Sequence, residues 1–142
     1  MPSIYDVIGS GMTANKLWID LSANNIANIN TTRTEDGGPY HRQTLTFKAK
    51  DDFQTVLEKK AGVRDIGDGV RVDNVIEDPS EELIYSPEHP DANDEGYVRM
   101  PAVDLTAEMT NIMMAQRAYE ANVTVFNATK EVNQKTTEIG RI

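Results

Sequence analysis

The chain is predicted to be α+β, with long N- and C-terminal helices pairing as a coiled-coil-like element and a small β-rich domain inserted between them. Three observations carry this. Ile4, Val7, Gly11, Ala14, Trp18 and Leu21 recur in a three-four rhythm near the N-terminus. Leu105, Met109, Ile112, Gln116, Tyr119, Val123 and Phe126 repeat that rhythm near the C-terminus. Residues so spaced line one helix face and must be buried against another helix. Between the two segments the pattern changes to the period-two alternation of strands. The organisation expected is an N-terminal helix with an Asn-rich motif over 1–34, a β-rich insert over 35–100 and a long C-terminal helix over 101–142.

The first helix should run from Ser3 to about Ala27, which is about 39 Å at 1.5 Å per residue. It leads into the amide-rich run Ser22-Ala-Asn24-Asn25-Ile-Ala-Asn28-Ile-Asn30-Thr31-Thr32. Asn competes for backbone hydrogen bonds, so the helix should end here. The heptad count carries on through Asn25 and Asn28. One such amide reads as a helix cap, whereas two in succession on a seam read as devices that fix register and partner number.

Thr34 to Gly38 is acidic and Gly-rich, a turn. Tyr40 to Ala49 alternates, with Leu45, Phe47 and Ala49 on one side and Thr44, Thr46 and Lys48 on the other, and is a strand. Asp51 to Lys60 fits a single helical turn or an irregular edge. Gly62 to Gly69 is a turn that leads into a second strand through Val70, Val72 and Ile76. Glu82 to Tyr85 and Tyr97 to Met100 are two more short strands, joined by the two-proline loop from Ser86 to Gly96. Pro101 ends the last strand, and Asp104 or Thr106 can cap the long helix. From Asp104 to Ile139 there is no Gly or Pro, giving a helix of about 54 Å. Past Phe126 the seam positions Lys130, Asn133 and Thr137 are polar. The apolar stripe moves to Val125, Val132 and Ile139, so the last turns should meet a different neighbour.

Two helices of that length cannot close a core on each other, and 142 residues supply little else to cover them. Packing between molecules is implied. Composition excludes several alternatives. A formal net charge of -9 speaks against nucleic acid and against anionic lipid. No apolar run is long enough for membrane insertion. Met1 to Ser10 has neither basic residues nor an apolar run, so no cleaved secretory signal is expected. With no Cys there is no thiolate metal site or cysteine nucleophile.

The loop Asp91-Ala-Asn93-Asp-Glu95-Gly96 opens like a calcium loop, but Ala102 stands where the bidentate Glu is needed, so it reads as an Asx- and Gly-rich turn. His41 and His89 are far apart and neither is paired with another ligand type. No nucleophile elbow, phosphate loop or acid/base constellation occurs. No catalytic, cofactor or metal residues are therefore assigned, and the chain is not expected to be an enzyme. Met100, Met109, Met113 and Met114, grouped around the start of the long helix, read as adaptable core fillers.

The stretch Leu21-Ser-Ala-Asn-Asn-Ile-Ala-Asn28 with Asn30-Thr31-Thr32 resembles the N-terminal motif of the flagellar basal-body rod and hook proteins. His89-Pro-Asp-Ala-Asn93, Gly96-Tyr-Val98 and Met100-Pro-Ala-Val103 are similar to the loop of a short proximal-rod member of that family. So is the C-terminal run from Glu108-Met109 through Ala115, Arg117, Tyr119, Ala121-Asn-Val123, Lys130 and Ile139-Gly140. One departure, Ala102 where the family usually has Asn after the proline, concerns the cap of the long helix.

The resemblance implies a structural rod subunit whose terminal helices pack with those of neighbours into a periplasm-spanning drive shaft, with the β-rich part outside. Its implied partners are other rod proteins and the flagellum-specific export apparatus, in a homo- and hetero-oligomeric helical rod, with export lacking signal cleavage. The assembly interface expected comprises Ile4, Val7, Ala14, Trp18, Leu21, Asn24, Asn25, Asn28, Leu105, Met109, Ile112, Gln116, Tyr119, Val123 and Phe126. A coiled-coil adaptor or secreted interaction module forming a closed oligomer is the alternative reading of the same helices.

Overall fold

The computed structural model describes residues 3–35, 37–50 and 67–140. The elements run α1 (Ile4–Ala27), β1 (Arg42–Ala49), β2 (Val70–Asp78), β3 (Glu81–Tyr85), β4 (Tyr97–Pro101) and α2 (Leu105–Ile139). Among the described residues this is the α+β order expected, two terminal helices around four strands. The reading of 51–60 as a helical turn or edge lies outside the described residues, as does most of the 62–69 turn.

Both helices begin at chemical start signals. The Ser3 hydroxyl accepts the Tyr5 N–H at 3.2 Å while the Asp6 carboxylate accepts the Ser3 N–H at 3.0 Å, a reciprocal cap that satisfies donors the first turn leaves free. At α2 the Asp104 carboxylate accepts the N–H groups of Thr106 at 2.8 Å and Ala107 at 3.3 Å. The cap is thus Asp104 itself, and Ala102 is outside it.

The strands form two two-stranded sheets, β1 with β2 and β3 with β4. β3 and β4 are antiparallel, with Glu81 opposite Pro101 and Tyr85 opposite Tyr97. In the other sheet, Gln43 donates to the Glu77 side chain and Thr46 to the Asn74 carbonyl, so β1 rises as β2 falls.

The chain divides into two compact units, Met1–Leu17 with Phe47–Asp73 and Met114–Ile142, and Trp18–Thr46 with Asn74–Met113. In the first, α1 and α2 run antiparallel. The Tyr5 and Phe126 rings meet edge-on with centroids 5.4 Å apart, and the Tyr5 hydroxyl accepts from Asn133 at 2.7 Å. Gly11 lets Asn122 approach so closely that an added Cβ would stand 3.0 Å from its amide nitrogen. Ser10 donates to the Val7 carbonyl at 2.7 Å and accepts the Val70 N–H at 3.1 Å, tying the head of β2 to α1.

In the second unit the end of α1, the start of α2 and strand segments pack around polar centres. Tyr85 and Tyr97 stack edge-on across β3 and β4 at 5.3 Å. Gly96, at φ +84°, makes the turn between those strands beneath the Tyr85 ring. Among the described residues the buried apolar set is small: Ile8, Ala14, Val98 and Ala115, with the prolines Pro39 and Pro101. Buried beside them are Ser22, Asn25 and Glu108.

Candidate functional site

The faces of the two helices are what the sequence offers as a site. On α1, Ala14 is buried, Val7, Gly11, Trp18 and Leu21 are half-buried, and Ile4 is 53% exposed. The buried line also takes in Ile8 and Ser22, which the three-four count leaves out. On α2 the departure is larger. Glu108 and Ala115 are buried, Asn122 and Thr129 half-buried, and Ile112, Tyr119, Val123 and Phe126 flank them half-buried. Leu105, Met109 and Gln116 are exposed. The buried stripe keeps the expected rhythm but is rotated by about 60° at 3.6 residues per turn, toward small and polar positions.

The methionine expectation is corrected by the same rotation. Met109, Met113 and Met114 are 53%, 52% and 48% exposed, so they fill no core within the chain. Met side chains are adaptable wherever they are packed; here they leave apolar surface free on α2. Farther along, Val125, Val132 and Ile139 are 50%, 62% and 73% exposed, the separate bare stripe their spacing indicates.

Asn25 is the centre of the amide motif. Its Nδ2 donates to the Gln43 carbonyl at 2.8 Å, and its Oδ1 accepts the Gln43 N–H at 2.9 Å. One side-chain amide thereby engages both backbone groups of a β1 residue, as a neighbouring strand would. The Tyr40 hydroxyl donates to the same Oδ1 at 2.9 Å and accepts from Asn24 Nδ2 at 3.2 Å. Burial raises the Tyr40 hydroxyl above its ordinary value, with Glu77 and Glu108 adding to the rise and the Asn24 hydrogen bond opposing it.

Asn28 does a different job. Its Nδ2 donates to the Asn24 carbonyl and side chain, both at 3.0 Å, and its Oδ1 accepts from Thr31 at 3.1 Å. It closes the helix end and starts the turn by which Tyr40 returns, where the Tyr40 N–H meets the Thr31 carbonyl at 3.0 Å. Asn25 joins helix to strand, whereas Asn28 caps.

A buried ion pair stands near this bracket. Glu108 Oε1 accepts from Arg42 Nε at 2.7 Å and lies 2.6 Å from Nη2, and the Glu108 side chain is 1% exposed. Arg42 also donates to Thr44 at 3.2 Å. A carboxylate in a first helical turn is ordinary, so nothing local marks Glu108 as buried; its partner is 66 residues away. Arg42, Gln43, Tyr40, Ser22 and Glu108 are the residues that sequence reasoning missed. Among the described residues no group of His, Cys, Asp and Glu could hold a metal ion, and no helix is long and apolar enough to cross a membrane. The 91–96 loop is an Asx turn, in which Asn93 Oδ1 accepts the N–H groups of Glu95 at 3.1 Å and Tyr97 at 2.8 Å.

Residues 94–139 match the family described as flagellar basal body rod FlgEFG protein C-terminal. The chain is 39% identical over 143 aligned residues to the flagellar basal-body rod protein FlgC of Bacillus subtilis, covering 96% of this chain and 95% of that protein. It is 42% identical to the protein of the same name in Borreliella burgdorferi, over 92% of this chain and 91% of the other. The Aquifex aeolicus protein is 35% identical over 94% and 92%. The chain belongs to the flagellar basal-body rod protein family and is a structural rod subunit of the flagellar basal body.

Proposed function

We propose that this subunit enters the rod through the faces of α1 and α2 left bare by its own fold, packing with copies of itself and with other rod components along a periplasm-spanning shaft. One observation carries the reading. Among the described residues Ile8, Ala14, Val98, Ala115 and the two prolines Pro39 and Pro101 are the apolar residues buried, while sixteen large hydrophobic side chains are exposed. Scattered exposed apolar residues are normal, but runs at helical spacing on one element are the mark of a contact surface.

The interface proposed includes Ile4, Leu105, Met109 and Gln116 as outward contacts. Val7, Ala14, Trp18, Leu21, Ile112, Tyr119, Val123 and Phe126 support them from half-buried or buried positions. Asn24, Asn25 and Asn28 hold the end of α1 and act on assembly through its position. Growth of a rod needs head-to-tail contacts that do not close, and two differently oriented bare faces on one helix suit that requirement. Passage through the flagellum-specific export apparatus without cleavage is part of the same proposal and rests on the family resemblance.

The test is site-specific photo-crosslinking from Met109 and Val132 in cells building basal bodies. Crosslinks to other subunits in purified basal bodies are expected from both positions, with an intact N-terminus by mass spectrometry. A discrete closed oligomer of purified chain that shields both positions would instead support an adaptor.

A further inference from the structure

The hairpin of β3 and β4 presents one open strand edge beside a cleft. The Ser86 N–H bonds the Gly96 carbonyl at 2.9 Å, so in the register of these strands Ile84 with Val98 and Glu82 with Met100 are the hydrogen-bonded pairs. The backbone groups of Glu81, Leu83 and Tyr85 therefore point away from β4. Among the described residues none of them has a backbone partner.

The opposite edge is closed at both ends. Tyr97 is bonded through its N–H to Asn93 Oδ1 and through its carbonyl to the Asn93 N–H at 2.8 Å. Pro101 has no N–H to offer, and its carbonyl takes the Val103 N–H at 2.9 Å. An uncovered edge with apolar side chains is a template for another strand, and here Leu83 and Tyr85 are 66% and 65% exposed.

Charge and shape restrict what can pair there. From Asn74 to Val98 the chain carries eight carboxylates and no Lys or Arg. Glu82, Glu88, Asp94 and Glu95 face no cation among the described residues. On the Leu83 side, a cleft of about 340 Å³ is lined by Leu83, Tyr97, Pro39 and Pro90. Its charges are already matched, Arg99 to Glu81 at 2.5 Å and Arg33 to Asp91 at 3.9 Å. It suits an uncharged side chain.

We infer that the β3 edge is a docking site for an extended segment of another protein chain in which apolar residues alternate with Lys or Arg. The apolar side chains enter the cleft beside Leu83, and the basic ones reach the opposite face near Glu82, following the two-residue period of a strand. A second copy's hairpin is disfavoured, since it would bring its own carboxylates against these. The rod reading supplies only the setting in which such a segment would be met.

The experiment uses the isotope-labelled full chain and a capped heptapeptide of alternating Lys and Val, with a variant methylated on alternate backbone nitrogens as control. Binding is expected to shift and protect the amides of Glu81, Leu83 and Tyr85. Methylation on the pairing side keeps every charge but removes backbone hydrogen bonds, so it should weaken binding at least about tenfold. Leu83→Pro, which deletes an outward N–H and no ladder bond, should abolish binding; if that variant does not fold, the two peptides on the unmodified chain still decide. Equal affinity for both peptides, shifts spread over the acidic surface, or no binding would overturn the inference. None of these outcomes touches the helix faces, so the proposed mode of assembly would stand or fall separately.

Discussion

Glu108 and Val132 lie on the same helix, but the first is 1% exposed and the second 62%. Hydropathy alone would reverse them. In the early turns of α2 a carboxylate is buried because Arg42 meets it, and Ala115 is fully buried, being small enough for close packing. In the last turns, 130–139 are all exposed, although Val132 and Ile139 are apolar. The early part is held by partners from its own chain. The late part has an apolar stripe that stays exposed, and among the described residues the Asn133 bond to Tyr5 is its side-chain tie to α1. Burial within this subunit is set by where polar groups find partners, and the leftover apolar surface marks where other subunits are to come.

Breaking the bound part should have the largest effect. Arg42→Ala leaves Glu108 as a buried charge without its partner, with a cost of about 3–5 kcal/mol in urea unfolding. Replacing both by Met should restore much of that loss, because burying an apolar pair avoids the desolvation of two charges. An equal loss in the single and double variants would show that packing, and not charge, holds the start of α2.

The two motif amides give the next contrast. Asn25→Leu strands both backbone groups of Gln43 and the Tyr40 hydroxyl, and should cost about 2–4 kcal/mol. Asn28→Leu removes a cap and should cost about 0.5–2 kcal/mol. Equal effects in thermal unfolding would erase the distinction between bracket and cap.

Tyr40 gives a smaller, pH-dependent effect. Its raised hydroxyl contributes stability that is fully present below its ordinary value of 10.0 and is lost as pH rises from there through the folded-state value. Stability should therefore fall more steeply above pH 10 in the parent than in Tyr40→Phe. Parallel curves would remove Tyr40 from the network. Smallest for the isolated subunit is Val132→Lys, with a change within about 0.5 kcal/mol, although basal bodies should fail to complete and cells should swim poorly. Normal motility would mean that this stripe meets no neighbour.

Much of this was legible before the structure. The ends of α2 follow from the absence of Gly and Pro between Asp104 and Ile139 and from the Asp104 cap, the end of α1 follows from the amide-rich run after Leu21, and the four described strands lie where the alternation puts them. The buried face of α2 was not legible. The rhythm of 109, 116 and 123 and that of 108, 115 and 122 differ by one residue, and hydropathy favours the first. Arg42, brought close by the return of the chain through the Asn28–Thr31 turn, meets Glu108, and the bare backbone of Gly11 admits Asn122; together they select the second. The role of Asn25 was hidden for the same reason, since its partner Gln43 is 18 residues away and a backbone acceptor leaves no mark in a sequence. The bare stripe of Val125, Val132 and Ile139 was readable because its seven-residue spacing stands apart from the polar seam positions Lys130, Asn133 and Thr137.

Residue-resolved amide exchange on the dilute, demonstrably monomeric chain separates the held part of α2 from the bare part. Protection is expected along α2 from Glu108 to Asn122 and at Gln43, falling to near-unprotected rates over 130–139, with that last stretch becoming protected in assembled rods. Uniform protection of α2 to Ile139 in the monomer, or an unchanged C-terminal stretch after assembly, would contradict it.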